Sequence, residues 1–209
     1  MKLNIQKKSI ITKFSIYSAI IFILLGFVMN YALSAKIEDL TIQRAIITTA
    51  NHAQQNAGNY LTSDFFSNSD YMKNKDTFEK YYQDVKTNEI VRIKIFDTNG
   101  NIIYSDIEDL VGQRFSDNKE LNEALAGEIK VEIKRNLDKE ENIFEKREYK
   151  ALMEIYAPIK MGSETVGVVE VYHTLDDIET QVNDSTKLVT SFIFIGFAII
   201  YILLNAWRQ

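Results

Sequence analysis

Two runs of the chain carry no charge. Phe14 to Leu33 and Leu188 to Trp207 are each 20 residues long and contain no Asp, Glu, Lys or Arg. At 1.5 Å per helical residue, each spans about 30 Å, the thickness of a bilayer's hydrocarbon core. The pattern therefore predicts five segments: a short N-terminus at 1–13, a first membrane span at 14–33, a polar and charged domain at 34–187, a second span at 188–207, and an end at 208–209. Uncharged stretches this long are rare as buried helices of soluble domains. A cleaved signal peptide is the other competing reading, with Lys7 and Lys8 as its basic region and Ala32-Leu33-Ser34 as its cleavage site. The first apolar run is longer than a usual signal core, and the second span stands in either case.

Between the spans the period of apolar positions changes. From Ser34 to about Leu61 there is no proline, the first glycine is Gly58, and Leu33, Ile37, Leu40 and Ile47 form a stripe interrupted by Arg44. This predicts one long helix continuing from the first span. Asp76 to Lys86, with Phe78, Tyr81, Tyr82 and Val85, predicts a second, shorter helix. "EIVRIKIFD" then alternates, with Val91, Ile93 and Ile95 on one side and Arg92, Lys94 and Phe96 on the other. "NIIYS" follows as a second strand. "SDNKELNEALAG" predicts a compact helix, capped by Asp117 and stopped by Gly127. "EIKVEIKR", "ALMEIYAPI" and "TVGVVEVYHT" predict three more strands, and the charged stretch 136–149 a loop. "LDDIETQVNDSTK" predicts a helix running into the second span. Five antiparallel strands with helices packed on the sheet make an α+β domain.

Charge follows the same division. All 29 acidic residues lie between Glu38 and Asp184, and the segment between the spans holds 19 of the 24 basic ones, a formal net charge of −10. An acidic surface of mixed sign disfavours nucleic acid as a partner. Lys2, Lys7, Lys8 and Lys13 precede the first span and Arg208 follows the second. Basic ends predict that both termini are cytoplasmic and the domain lies outside, with the chain in the inner (plasma) membrane. Tyr31, Tyr201 and Trp207 sit where amphipathic aromatics settle at the interface.

Catalysis finds little to work with. The absence of cysteine rules out disulfides, thiolate zinc sites and a cysteine nucleophile. His52 and His173 lie in different elements without a ligand-spaced partner, and no phosphate-cradling Gly-rich loop or G-x-S-x-G is present. The expectation is no catalytic residue, no metal and no cofactor. "IFDTNGNIIYSD" offers a calcium-loop alternative through Asp97, Asn99, Asn101 and Glu108. It fails at the sixth position, which must be glycine and is Ile102. Asn99-Gly100 between two alternating runs predicts a hairpin instead.

Binding is the stronger candidate. On "ALMEIYAPI", Leu152, Glu154 and Tyr156 share one side, and Met153, Ile155, Ala157 and Ile159 the other. On the last strand Val168, Glu170 and Tyr172 share one side, and Gly167, Val169, Val171 and His173 the other. If the apolar sets pack on the long helix, the opposite face gathers Arg92, Lys94, Glu154, Tyr156, Glu170 and Tyr172, with Tyr104 nearby. Roofed by residues 105–127, that face has the aromatic walls and convergent charges of a small-molecule site. A basic pair suits a carboxylate, opposing glutamates suit an amine, and an amino acid suits both. The plainer reading is that Arg92 or Lys94 pairs with Glu154 or Glu170 across neighbouring strands.

"VRIKIFDTNGNIIYSD", "LVGQRF", "ELNEALAGE", "LMEIYAPI" and "VGVVEVYHTLDD", in this order and between two spans, resemble the single Cache or PAS-like extracytoplasmic sensor domains of bacterial transmembrane receptors. The resemblance covers about residues 34–187. It implies ligand sensing and signal transduction across the membrane, a parallel homodimer, and an output module: a two-component histidine kinase first, a diguanylate cyclase or chemoreceptor as alternatives. No such module follows Trp207 in this sequence. The expectation is a fragment of a longer receptor, with a stand-alone membrane-anchored binding protein as the alternative.

Overall fold

The computed structural model of the chain describes residues 2–67, 71–134 and 151–206. The elements, in chain order, are α1 (Lys2–Tyr60), α2 (Ser63–Ser67), α3 (Tyr71–Val85), β1 (Ile90–Asp97), β2 (Ile102–Ser105), a 3-10 turn (Glu108–Leu110), α4 (Lys119–Leu125), β3 (Lys130–Lys134), β4 (Leu152–Met161), β5 (Glu164–Thr174) and a last helix, here α5 (Asp176–Ala206). The expected loop at 136–149 lies outside the described residues.

The chain divides into two compact units, Ile42–Ile178 and Met1–Thr41 with Glu179–Gln209. The second unit holds the apolar runs of α1 and α5, both long and apolar enough to cross a membrane. Their Ile20, Leu24, Phe27, Val28, Ile195 and Ile199 side chains are exposed, as a lipid-facing surface requires. Phe22 stacks on Phe197 at 5.4 Å, and the Thr190 hydroxyl donates to Asn30 Oδ1 at 2.5 Å.

The first unit is the expected α+β domain, a five-stranded antiparallel sheet in the order β2-β1-β5-β4-β3. The β4–β5 and β1–β5 registers bring Met153, Ile155, Ala157, Val169, Val171, Ile93 and Ile95 to one face, all fully buried. The long helix supplies small residues to this layer, with Ala50, Ala53 and Ala57 buried and Gln54 Nε2 donating to the Pro158 carbonyl at 2.9 Å. The buried Tyr81 hydroxyl of α3 donates to the Ala53 carbonyl at 3.1 Å, so its one polar atom is satisfied. Gly167 is needed where it stands: a Cβ there would lie 2.4 Å from Phe66 Cε1 and 2.5 Å from the Phe96 carbonyl oxygen.

The hairpin at Asn99-Gly100 is present, with a difference of detail. Only Gly100 takes positive φ, at 77°, and the Asp97 carboxylate accepts from the Asn99 and Asn101 backbone N–H groups at 2.8 and 2.9 Å and from Asn101 Nδ2 at 2.8 Å. The oxygen atoms that suggested a metal ligand therefore hold the turn. Three further differences are local. The compact helix is capped by Asn118, whose side chain accepts from the Leu121 N–H at 2.7 Å, and not by Asp117. The second helix begins at Tyr71, five residues early, and α2 precedes it, because short helices here are stabilised by packing of Phe66 and Phe78 more than by local pattern.

Candidate functional site

Strand register assembles the polar face. β1 against β5 sets Arg92 opposite Tyr172 and Lys94 opposite Glu170. β4 against β5 sets Glu154 opposite Tyr172 and Tyr156 opposite Glu170. Opposed residues of an antiparallel pair point to the same side, so six of the seven expected residues share one face. Tyr104 does not join them. It opposes Ile95, a member of the apolar set, so its ring stacks on Phe78 at 5.3 Å and its hydroxyl donates to Glu79 Oε2 at 3.1 Å. Burial raises its pKa well above the tyrosine range.

The face is covered. Glu154, Glu170 and Tyr156 are each 2% exposed and Tyr172 3%, while the Lys94 and Arg92 side chains are 14% and 15% exposed. Part of the cover comes from the segment expected as a roof. Leu121 and Ala124 of α4 join Phe96, Ile102, Tyr156 and Val168 in one buried cluster, with Leu110 and Val111 packed against it. Asn118 Nδ2 reaches in from the helix start and donates to the Tyr156 hydroxyl at 3.2 Å.

The charges are matched across strands. Lys94 Nζ lies 3.3 Å from Glu170 Oε2, 4.7 Å from the centre of the Tyr172 ring, and donates to the Tyr172 hydroxyl. Arg92 Nε donates to Asp106 Oδ2 at 3.3 Å, and its guanidinium carbon sits 5.9 Å from the Tyr172 ring centre. The Tyr156 hydroxyl donates to Glu154 Oε2 at 3.4 Å. A cross-strand ion pair of the kind the plainer reading expects is present at Lys94 and Glu170.

Three contributors escaped the sequence reading. Lys134 of β3 holds Glu154 Oε1 at 2.9 Å, Asp106 receives Arg92, and Asn118 bonds Tyr156. Alternation in "EIKVEIKR" puts Lys130, Glu132 and Lys134 on one side of the strand, a signal that could have found Lys134. Its partner depends on the β3–β4 register, Lys134 opposite Leu152. Nothing in the sequence marks Asp106 as Arg92's partner.

Electrostatics follow from burial. Removal from water, reinforced by the neighbouring Glu170, pushes the Glu154 carboxyl up to about 7, against the pull of Lys134 and Lys94. Burial lowers Lys134, but the Glu154 charge and hydrogen bond outweigh it and its pKa is raised. The two shifts are tied, since the Glu154 charge is the main influence holding Lys134 up, with Glu132 and Glu170 adding to it. Burial is the largest influence on Glu154, so it decides the order. Burial also raises Asp106 beyond what Arg92 offsets, and raises Tyr156 and Tyr172. The face can therefore offer cationic donors, carboxylate acceptors and one carboxyl that changes charge near neutral pH.

The histidines occupy other places. His173 is buried with Nδ1 2.6 Å from the Thr174 carbonyl oxygen, and His52 lies on α1 with Nδ1 3.4 Å from Asn56 Nδ2. Among the described residues no group of three His, Asp or Glu is placed to hold a metal ion.

No known family's sequence profile matches the chain, and no curated protein matches it. Solved structures do. Among those similar to this chain are sensor domains. The sensor domain of the histidine kinase DctB from V. cholerae is 14% identical with a TM-score of 0.44, over 73% of this chain and 60% of that one. The DcuS sensor domain from E. coli is 16% identical with a TM-score of 0.39, over 65% and 98%. An extracellular ligand-binding receptor from Desulfohalobium retbaense is 12% identical with a TM-score of 0.42, over 69% and 25%. At these levels the likeness adds nothing to the fold already described, and a functional reading rests on the polar face.

Proposed function

We propose that this chain is the sensing region of a membrane receptor, in which the polar face of the sheet binds a small molecule arriving from outside the membrane. One observation carries the reading: Arg92, Lys94, Glu154, Tyr156, Glu170 and Tyr172 converge, largely buried, on one sheet face. Burying matched charges costs desolvation that their attraction roughly repays, so such a cluster contributes little net stability. Its mixture of cations, carboxyls and tyrosine rings suits an amino acid, or a carboxylate alone.

In this reading residues 14–33 and 188–207 span the membrane, both termini are cytoplasmic, and residues 34–187 face the periplasm or exterior. Each terminus of the sheet domain continues in the same helix as an apolar run, α1 on one side and α5 on the other. A ligand shifts a two-state equilibrium only through its differential affinity for the states. The elements suited to carry the shift are these two helices, by sliding or rotation of about 1–2 Å. A parallel homodimer would carry it through four spans. The output would be a histidine kinase, or a cyclase or chemotaxis module.

Calorimetry of the purified chain against a panel of amino acids and carboxylates tests the reading. Binding that weakens at least tenfold in both Arg92→Ala and Glu170→Ala supports it. Affinity unchanged in both variants removes it.

A further inference from the structure

Glu154 and Glu170 are the fully buried carboxyls of the polar face, and they sit on adjacent strands. Glu154 opposes Tyr172 and Glu170 opposes Tyr156, so the two carboxyls are diagonal neighbours on one side of the sheet. Among the described residues each touches one lysine. Those lysines are placed differently. Lys94, 3.3 Å from Glu170, belongs to β1, which is flanked by β2 and β5, and it also donates to Tyr172. Lys134, 2.9 Å from Glu154, ends β3 at the sheet edge, and it lies 3.8 Å from Glu132, which is 41% exposed. The cation on Glu154 therefore has a second carboxylate within reach.

The groups facing Glu154 can be named strand by strand. Tyr156 shares its strand, and β5 brings Glu170 and Tyr172. From β1 come Lys94 and Arg92, the latter matched by Asp106. From β3 come Glu132, Lys134 and Lys130, the last held by Glu123 and Glu128 at 2.8 and 2.7 Å. From the start of α4 comes Asn118, through the Tyr156 hydroxyl. With every carboxyl ionised, Arg92, Lys94 and Lys134 match Asp106, Glu154 and Glu170 in charge, and the part-exposed Glu132, directly opposite Glu154, adds one further negative charge. Two carboxylates side by side out of water repel, and a proton on one relieves the repulsion. The second hydrogen bond to Glu154, from Tyr156 at 3.4 Å, is long and offsets little. Burial acts in the same direction.

We propose that this cluster is a proton-binding site: Glu154 takes up a proton while the domain stays folded, and in doing so releases Lys134 to Glu132. The ligand is the proton itself, so the site works whether or not a small molecule binds the same face. Protonation removes one negative charge from the face and changes the tether of the edge strand β3 to β4. The sheet domain thereby becomes responsive to external acidity.

The test uses the full chain in phospholipid nanodiscs, without added ligand and with glutamate carboxyl carbons labelled for NMR, titrated over about pH 4 to 9. One glutamate resonance is expected to titrate near pH 7, passing from about ten parts protonated per ionised to the reverse over about two pH units. It is expected to be absent from Glu154→Gln and retained in Glu132→Gln. In Lys134→Met its midpoint is expected to rise, because the cation favouring ionisation is gone. The proposal is overturned if all wild-type glutamates titrate in the ordinary range, if the high resonance persists in Glu154→Gln, or if Lys134→Met lowers its midpoint or leaves it unmoved. Should Glu154→Gln not fold, the wild-type titration and Lys134→Met still decide. Because no ligand is added, failure of the small-molecule reading leaves this result untouched.

Discussion

Lys94 and Glu170 stand directly opposite each other across the β1–β5 pair, with Nζ 3.3 Å from Oε2 and neither side chain more than 14% exposed. A pair so far from water is held by its own symmetry of charge. Removing one member strands the other.

That asymmetry can be measured. Lys94→Met alone, or Glu170→Leu alone, should cost about 3–5 kcal/mol, while the double variant should recover most of the loss. Thermal melts of the four proteins in nanodiscs complete the cycle. Single variants that melt with the wild type would show the pair is solvated, against the burial described here.

Stability should fall as pH rises through the window set by Glu154. Its folded value, about 7, lies above the ordinary 4.5. Below the ordinary value both states hold the proton. Between the two values the folded state holds it and the unfolded state does not, so each step up in pH favours unfolding. Above about 7 the loss is complete, on the order of 3 kcal/mol. Melting temperature against pH should therefore decline across that window in the wild type and decline less in Glu154→Gln. Equal slopes in the two proteins would contradict the assignment.

Gly167→Ala should destabilise the sheet by about 1–3 kcal/mol, the usual range for overpacking. The added Cβ meets the Phe66 ring at 2.4 Å and the Phe96 carbonyl at 2.5 Å. Trimming the ring relieves only the first contact. Gly167→Ala should thus remain destabilising in a Phe66→Ala background, and full rescue there would place the obstruction in the ring alone.

Asp97→Ala should cost about 1–3 kcal/mol, because the hairpin loses three hydrogen bonds to one charged carboxylate. Addition of calcium should leave the wild-type melting temperature unchanged, as expected of a carboxylate occupied by Asn99 and Asn101. A calcium-dependent rise lost in Asp97→Ala would restore the metal reading of this turn.

The sequence by itself determined the two uncharged runs, the five strands and the side of each strand on which a residue falls. These follow from local periodicity: 20 uncharged residues match a bilayer, and a pleated strand alternates at every residue. Alternation alone was enough to bring six of the seven candidate residues to one face. Counting from the Asn99-Gly100 turn also pairs residue 95 with 104, so Tyr104's place on the apolar face was legible too. Only the tertiary structure decided who touches whom. Lys134 meets Glu154 through the β3–β4 register, which alternation along either strand does not specify. Asp106 meets Arg92 only once β2 has folded back beside β1. The change in Glu154 from an ordinary carboxyl to one that titrates near neutral pH comes from burial and from Glu170 on the next strand. Burial is a property of the packed sheet and its cover, to which residues far apart in the chain contribute together.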